Sequence, residues 1–350
     1  MRKKAAALII ALSLTAGMIT GCSGSKLDNS EVIIEIGDQQ VTADVANFYA
    51  RYQQSYYETY YAGYLGGDDM WSTEASDGMN YEETVKNDVL DALESMYVLD
   101  AHKEEHGVEI TEEEREAIGT AAKEFIKANG EDELSVVSGT EDAVKKVLEL
   151  LTVQDKMYDV MTADVDTEVS DDEAAQKKMV YVRFAFTYTD DDGNSVEYTE
   201  DELKSLKKEA EEFAELAAEE DDFSNYATEK GYDPQETTFD SESTSPASEL
   251  IEAADELGEG ETTGLIETDS AYYAAKVVSL LDRDATDTKK ESIVSERKDE
   301  HYQKLLDEWI EEADPQVNKS AWAKVDFNNQ GVTIKQIEEA TEDETKESEE

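Results

Sequence analysis

The sequence predicts an α+β chain: a mostly helical segment, then a strand-and-helix segment, then a further long helix. Three observations predict it. From 43 to 162, apolar residues recur at spacings of three and four. Near Val169 that spacing gives way to short β-branched and aromatic runs, the clearest being Met179 to Phe186. From Lys289 the helical spacing resumes through Ile293, Tyr302, Leu305, Leu306, Trp309 and Ile310. The expected division is a leader at 1–21, a tether at 22–30, a helical domain at 31–168, a strand-and-helix domain at 169–285, a helix and strand at 286–335, and an acidic, disordered tail at 336–350.

The leader comes first. Arg2, Lys3 and Lys4 precede an apolar run from Ala5 to Ile19, and small residues follow. A basic start, a short apolar core and small residues at the break make a secretory signal. The run is short for a membrane span, which takes ~20 apolar residues. Val32 to Ile36 reads as a strand, Gly37-Asp38 as a turn, and Thr42 as the N-cap of a helix from 43 to 65 that Gly66-Gly67 ends. Val85, Val89, Leu93, Met96 and Leu99 mark a helix from Tyr81 to His106. Thr111 and Glu114 fit a capping box, ahead of an apolar face at Ala117, Ala121, Ala122, Phe125 and Ile126. A further helix spans roughly Glu141 to Thr162.

In the middle segment, Met179 to Phe186 is a strand. Asp190 to Asn194 is a turn, and Val196 to Tyr198 is a returning strand. Glu200 to Glu220 is a charged helix with Leu203, Leu206, Ala210, Phe213 and Ala217 on one face. A short helix at 223–227, a polar stretch at 231–249, a short helix at 249–257 and strands at 263–266 and 271–281 complete it. After the long helix at 289–313, Ala321 to Phe327 reads as a terminal strand.

Composition excludes several functions. There are 31 basic and 87 acidic residues, a formal charge of −56. Such a field repels phosphate backbones, so nucleic acid is not an expected partner. Cys22 is the only cysteine, so no disulfide forms within one chain. No Ser/His/Asp set, phosphate loop or dinucleotide fingerprint is present. In Asp190-Asp191-Asp192-Gly193-Asn194 the glycine is fourth, where a calcium loop needs it sixth, so a hairpin turn is the better account. His102 and His106 have a zinc-compatible spacing but no third ligand in view. No metal and no cofactor is expected.

The tyrosines of the first helix are the most distinctive residue pattern. Tyr49, Tyr52, Tyr56 and Tyr60 fall on one stripe, and Tyr57, Tyr61 and Tyr64 on the next. Tyrosine offers large contact area with few rotors to freeze and keeps a polar tip for water. The first stripe suits packing. Tyr57, Tyr61 and Tyr64 are the candidates for loose binding of unfolded segments.

Five stretches carry a family resemblance. Ile19-Thr20-Gly21-Cys22 resembles a bacterial lipobox, which implies lipidation of Cys22 and anchoring to the bacterial cell membrane. Asp222-Phe223-Ser224-Asn225-Tyr226-Ala227 is similar to a turn of parvulin-type peptidyl-prolyl isomerases. Leu257 to Thr268 resembles the family's Gly-Glu segment, and Ala271 to Val277 its closing strand. The opening strand, Gly turn and helix at Val32 to Phe48 resemble those of PrsA-like and SurA-like foldases. The resemblance implies a helical chaperone domain at 31–168, completed by the helix and strand at 286–335 packing back on it, with a parvulin-like α/β domain inserted at 169–285. It implies isomerase activity as well, with Phe184, Phe186, Tyr272 and Tyr273 as pocket candidates. Two departures weigh against activity. Phe184 and Tyr273 stand where the family carries histidines, and the Cys or Asp of the family pocket has no counterpart.

The expectation is therefore an extracytoplasmic, membrane-anchored chaperone or foldase. Its partners are unfolded or partly folded secreted proteins, held between the helical and parvulin-like domains, and its isomerase domain is weak or inactive. The alternatives are an active peptidyl-prolyl isomerase, in which tyrosine replaces histidine, and a solute-binding or adhesion lipoprotein.

Overall fold

The computed structural model describes residues 14–17, 27–76 and 78–334. Cys22, most of the leader and the tail at 336–350 lie outside the described residues. The chain divides into two compact units, one of Met1–Asp164 with Asp299–Glu350 and the other of Val165–Lys298. It is an α+β protein, as the alternation of helical and strand spacing predicts.

In the first unit, β1 (Leu14–Gly17) precedes a hairpin of β2 (Val32–Ile36) and β3 (Gln39–Thr42). The hairpin turns at Gly37, whose φ of +54° favours glycine. Helices α1 (Ala43–Tyr60) and α2 (Ala62–Leu65) follow, then a single-turn segment Gly67–Ser72 and a small hairpin of β4 (Glu74–Ser76) and β5 (Met79–Asn80). Next come α3 (Tyr81–His102), α4 (Glu112–Ala128), α5 (Glu131–Val136) and α6 (Glu141–Met161). The Thr111 and Glu114 capping box forms: the Thr111 amide donates to Glu114 Oε2 at 2.8 Å and the Glu114 amide to Thr111 Oγ1 at 3.3 Å.

The second unit is built on a four-stranded antiparallel sheet. Its elements are β6 (Lys177–Ala185), the hairpin β7 (Thr187–Thr189) and β8 (Ser195–Glu197), α7 (Glu200–Ala217), α8 (Phe223–Glu229), β9 (Gln235–Phe239), α9 (Ser248–Asp255), β10 (Thr262–Glu267) and β11 (Ala271–Ser279). The sheet order is β10-β11-β6-β9. Side chains alternate between its faces with the period of two that a strand imposes. Val180, Val182, Phe184, Tyr272 and Ala274 pack with Ala210, Phe213, Ala217 and Phe223 of α7 and α8. Met179, Tyr273, Ala275 and Val277 pack with Leu250, Ile251 and Ala254 of α9.

Helix α10 (Arg283–Ala313) begins in the second unit, and from Asp299 onward its residues belong to the first. Then β12 (Gln316–Val317) pairs with β2, α11 (Lys319–Trp322) follows, and β13 (Gly331–Ile334) pairs antiparallel with β1. The first unit closes on one core that joins Ile33, Phe48, Leu93, Leu99, Phe125, Leu148, Met157, Leu306 and Phe327. Fully burying such a side chain contributes about 1.5–3 kcal/mol. Trp309 stacks on His102 with ring centroids 4.2 Å apart, so the returning helix packs on α3.

Several elements differ from expectation. The terminal strand expected at 321–327 is instead a helical turn, because Asn318 Oδ1 accepts the Ala321 amide at 3.1 Å and starts α11. Ala321, Trp322, Val325 and Phe327 are buried from irregular backbone, and the strand lies later, at Gly331–Ile334. The polar stretch at 231–249 holds a strand, β9, which pairs with β6 from Lys177↔Phe239 to Tyr181↔Gln235. The first helix breaks at Tyr61 and ends at Gly66 with φ +113°. Thr42 does stand at its N-cap position, but the hydroxyl donates to Asp44 Oδ1 at 2.6 Å rather than capping the backbone.

Candidate functional site

The break at Tyr61 decides where the tyrosines go. Tyr49 is buried, and its hydroxyl accepts from Gln53 Nε2 at 3.1 Å. Further along the same stripe the rings emerge, with Tyr56 and Tyr60 44% and 53% exposed. In the second stripe Tyr57 is half-buried against Trp71 at 5.9 Å, Tyr61 is 42% exposed and Tyr64 88%. The stripes do not stay apart. Tyr56 meets Tyr60 at 5.0 Å and Tyr61 at 5.8 Å, and Tyr61 meets Tyr57 at 5.7 Å. The result is one exposed aromatic cluster that includes candidates Tyr57 and Tyr61, with Tyr64 following on α2. Tyr56 and Tyr60, which helical spacing alone assigns to packing, belong to it. Burial raises the Tyr57 hydroxyl above its ordinary pKa, with Asp88 adding to the effect.

The other side of α1 is a buried polar latch that sequence reasoning missed. Arg51 Nη1 donates to Gln54 Oε1 at 2.6 Å and to the carbonyls of Asp326 and Gln330 at 3.1 and 3.0 Å. Its Nε donates to Asn47 Oδ1 at 3.3 Å. Burial lowers the guanidinium to about 10, against the pull of Glu58, Asp326 and Glu82, so it remains charged near neutral pH. Gln54 Nε2 donates to Glu58 Oε1 and to the Gln330 carbonyl, both at 2.7 Å. Glu58 also accepts Trp71 Nε1 at 2.9 Å and the Val332 amide at 2.7 Å. These bonds fix the segment from Asp326 to Val332 on α1. Two of the four partners of Arg51 are backbone carbonyls, which leave no residue-type signature.

A cleft of about 520 Å³ also opens in this unit, lined by Asn80, Glu83, Lys86, Trp322 and Asn329 among others. Lys86 is already engaged there, with Nζ donating to the Val325 carbonyl and lying over the Trp322 ring.

In the second unit the four parvulin-like candidates divide between the faces of the sheet. Phe184 lies opposite Tyr272 in register and between Phe213 and Tyr232, at centroid distances of 5.6 and 4.9 Å. Phe186 meets Tyr272 edge-on at 4.8 Å. These three share one face. Tyr273 is on the other, where its hydroxyl accepts from Arg183 Nε at 3.2 Å and its ring lies 6.0 Å from Tyr181. Phe184, Tyr272 and Tyr273 are each at most 6% exposed, so their rings fill the cores of the unit. The histidines lie elsewhere: His102 and His106 both rest against Trp309, and His301 is on α10. Asp190 Oδ1 accepts the Asp192 and Asn194 amides at 3.0 and 2.8 Å, which makes the acidic run a hairpin turn between β7 and β8.

No family model and no curated protein matches the chain. Solved structures do. The foldase protein PrsA from Lactococcus lactis matches over 85% of this chain and 98% of its own, at 15% identity and a TM-score of 0.35. A peptidylprolyl isomerase (PrsA) from Bacillus anthracis matches over 65% and 99%, at 19% identity and a TM-score of 0.25. A structure from work on SurA-like chaperones of Campylobacter jejuni matches over 82% and 98%, at 11% identity and a TM-score of 0.29. What it does is a matter of its own residues. Among the described residues, no helix is long and apolar enough to cross a membrane.

Proposed function

We propose that this chain is an extracytoplasmic chaperone, or foldase, held at the bacterial cell membrane by a lipid on Cys22 and acting on unfolded or partly folded secreted proteins. The observation that carries this reading is the exposed cluster of Tyr56, Tyr60 and Tyr61, with Tyr64 beyond it. Contiguous aromatic surface on a chain of charge −56 is costly to leave in water without a partner. Tyrosine rings grip apolar segments without demanding a sequence, and the surrounding charge keeps the complex in solution. Two lipid chains on one cysteine suffice for stable anchoring, where a single chain is marginal.

The parvulin-like unit acts as scaffold rather than catalyst in this reading. Rotation about a peptide bond has a barrier of ~18–20 kcal/mol. Lowering it takes polar groups aimed at the twisted amide. No histidine lies between 107 and 300, and Phe184 and Tyr272 are enclosed.

The deciding experiment mixes the purified chain with a chemically unfolded protein and follows light scattering, and in parallel measures exchange of a short prolyl peptide. Strong suppression of scattering is expected near equimolar ratio, with prolyl exchange close to its uncatalysed rate. Absence of suppression at every ratio would favour a solute-binding or adhesion lipoprotein. Fast prolyl exchange would make the chain an isomerase. Cys22→Ala should abolish acyl labelling and release the protein from membranes; retention after a salt wash would refute the anchor.

A further inference from the structure

The two edges of β13 are closed by different means. On one edge the Val332 amide donates to Glu58 Oε2 at 2.7 Å and the Ile334 amide to Thr59 Oγ1 at 2.9 Å, both side chains of α1. On the other stands β1, antiparallel, with Leu14 opposite Ile334, Thr15 opposite Thr333, Ala16 opposite Val332 and Gly17 opposite Gly331. Val332 and Ile334 turn their N–H groups to α1. Strand alternation therefore gives the ladder bonds toward β1 to Gly331 and Thr333, paired with Gly17 and Thr15.

β1 lies inside the segment read above as a cleaved leader. Its removal leaves this edge of β13 with unpaired backbone groups, which is a template for another strand. The strand is also fixed from its other side: Arg51, Gln54 and Glu58 hold the chain from Asp326 to Val332 through bonds that do not involve β1. That lowers the ordering cost of binding.

We infer that this edge of β13 is a strand-addition site for an extended, apolar, non-acidic segment of an unfolded polypeptide, and that the leader is its first occupant. The chemistry of the occupant follows from what is seated there. Leu14-Thr15-Ala16-Gly17 is uncharged and compact. Helix α5 lies beside it and brings Glu131, Asp132 and Glu133 in its first turn, which disfavours an acidic strand. Main-chain bonding accepts many sequences, as clients without a common motif require. The inference rests on the chaperone reading for the identity of the occupant.

The test uses the full-length chain and its Thr15→Pro/Gly17→Pro variant, whose leader lacks the two N–H groups that face β13. Both are titrated with a fluorescent peptide of residues 11–18. The peptide is unmodified, N-methylated at the positions of Thr15 and Gly17, or N-methylated at those of Leu14 and Ala16, which face away. The unmodified and Leu14/Ala16-methylated peptides should bind the variant at least tenfold more tightly than the parent chain. Methylation at Thr15 and Gly17 should cost at least tenfold, and adding Thr333→Pro to the variant should abolish binding. Equal binding of the two methylated peptides, or no gain in the variant, overturns the site. Aggregation suppression by the same proteins separates the two readings. Suppression with methylation-blind binding refutes the edge site alone; methylation-sensitive binding without suppression refutes the chaperone reading alone.

Discussion

The Tyr273 hydroxyl accepts a hydrogen bond from Arg183 Nε at 3.2 Å, on the face of the sheet opposite Phe184. A phenol so placed orients an arginine and is closed off from a prolyl ring. Tyr273→Phe should therefore leave prolyl exchange unchanged and lower stability by only about 1 kcal/mol, the usual worth of one hydrogen bond. Denaturant titration alongside a prolyl-peptide assay checks both. A large loss of exchange activity would assign catalysis to this hydroxyl.

Tyr61→Ser with Tyr64→Ser should weaken aggregation suppression severalfold while leaving the unfolding midpoint within about 0.5 kcal/mol, as exposed substitutions do. Tyr57→Ser is less clean, because that ring packs on Trp71. Light scattering against client ratio, read with a melting curve, distinguishes lost grip from lost fold. Unaltered suppression by the double variant would move the client site elsewhere.

Arg51→Met should cost about 3 kcal/mol, since it removes the donor to the Asp326 carbonyl and one donor to the Gln330 carbonyl inside the protein. The loss should be local at first. Faster hydrogen exchange at the Val332 and Ile334 amides, ahead of the amides of α3, is the expected signature.

Asp240 gives the pH prediction. Burial alone would raise its pKa, but Gln176, Ser243 and Lys289 donate to the carboxylate and hold it at about 2. A depressed folded pKa adds stability above the unfolded value of ~3.9 and loses it as pH falls through the folded one. Asp240→Asn should therefore be less stable than the parent at pH 7, with the gap closing between about pH 4 and pH 2. A gap that persists at pH 2 would assign the effect to packing instead.

Helices were legible wherever apolar spacing and caps agreed, as at Thr111 and Glu114. The start of α10 was not: Arg283 to Thr288 carries little apolar periodicity, yet the helix begins there, with Thr286 buried and accepting the Gln176 amide at 3.1 Å. β9 was hidden because Gln235-Glu236-Thr237-Thr238-Phe239 is polar on its own and becomes a strand only beside β6. In the candidate site, the tyrosines could be read from residue type. Their joining into one cluster could not, since it depends on the helix breaking at Tyr61. The Arg51 latch left no trace either, because its carbonyl partners lie 275 and 279 residues further along the chain.

That separation has a consequence for how the protein is made. The sheet of the second unit assembles from strands that all lie between 177 and 279, so it needs nothing beyond its own span. The first unit cannot seat Arg51, or close Leu306 and Phe327 over its core, until its final segment has been made. Contacts of such long range form late and slowly. The unit that begins first is thus completed last, and until then its helices must wait with a buried-to-be arginine still in water.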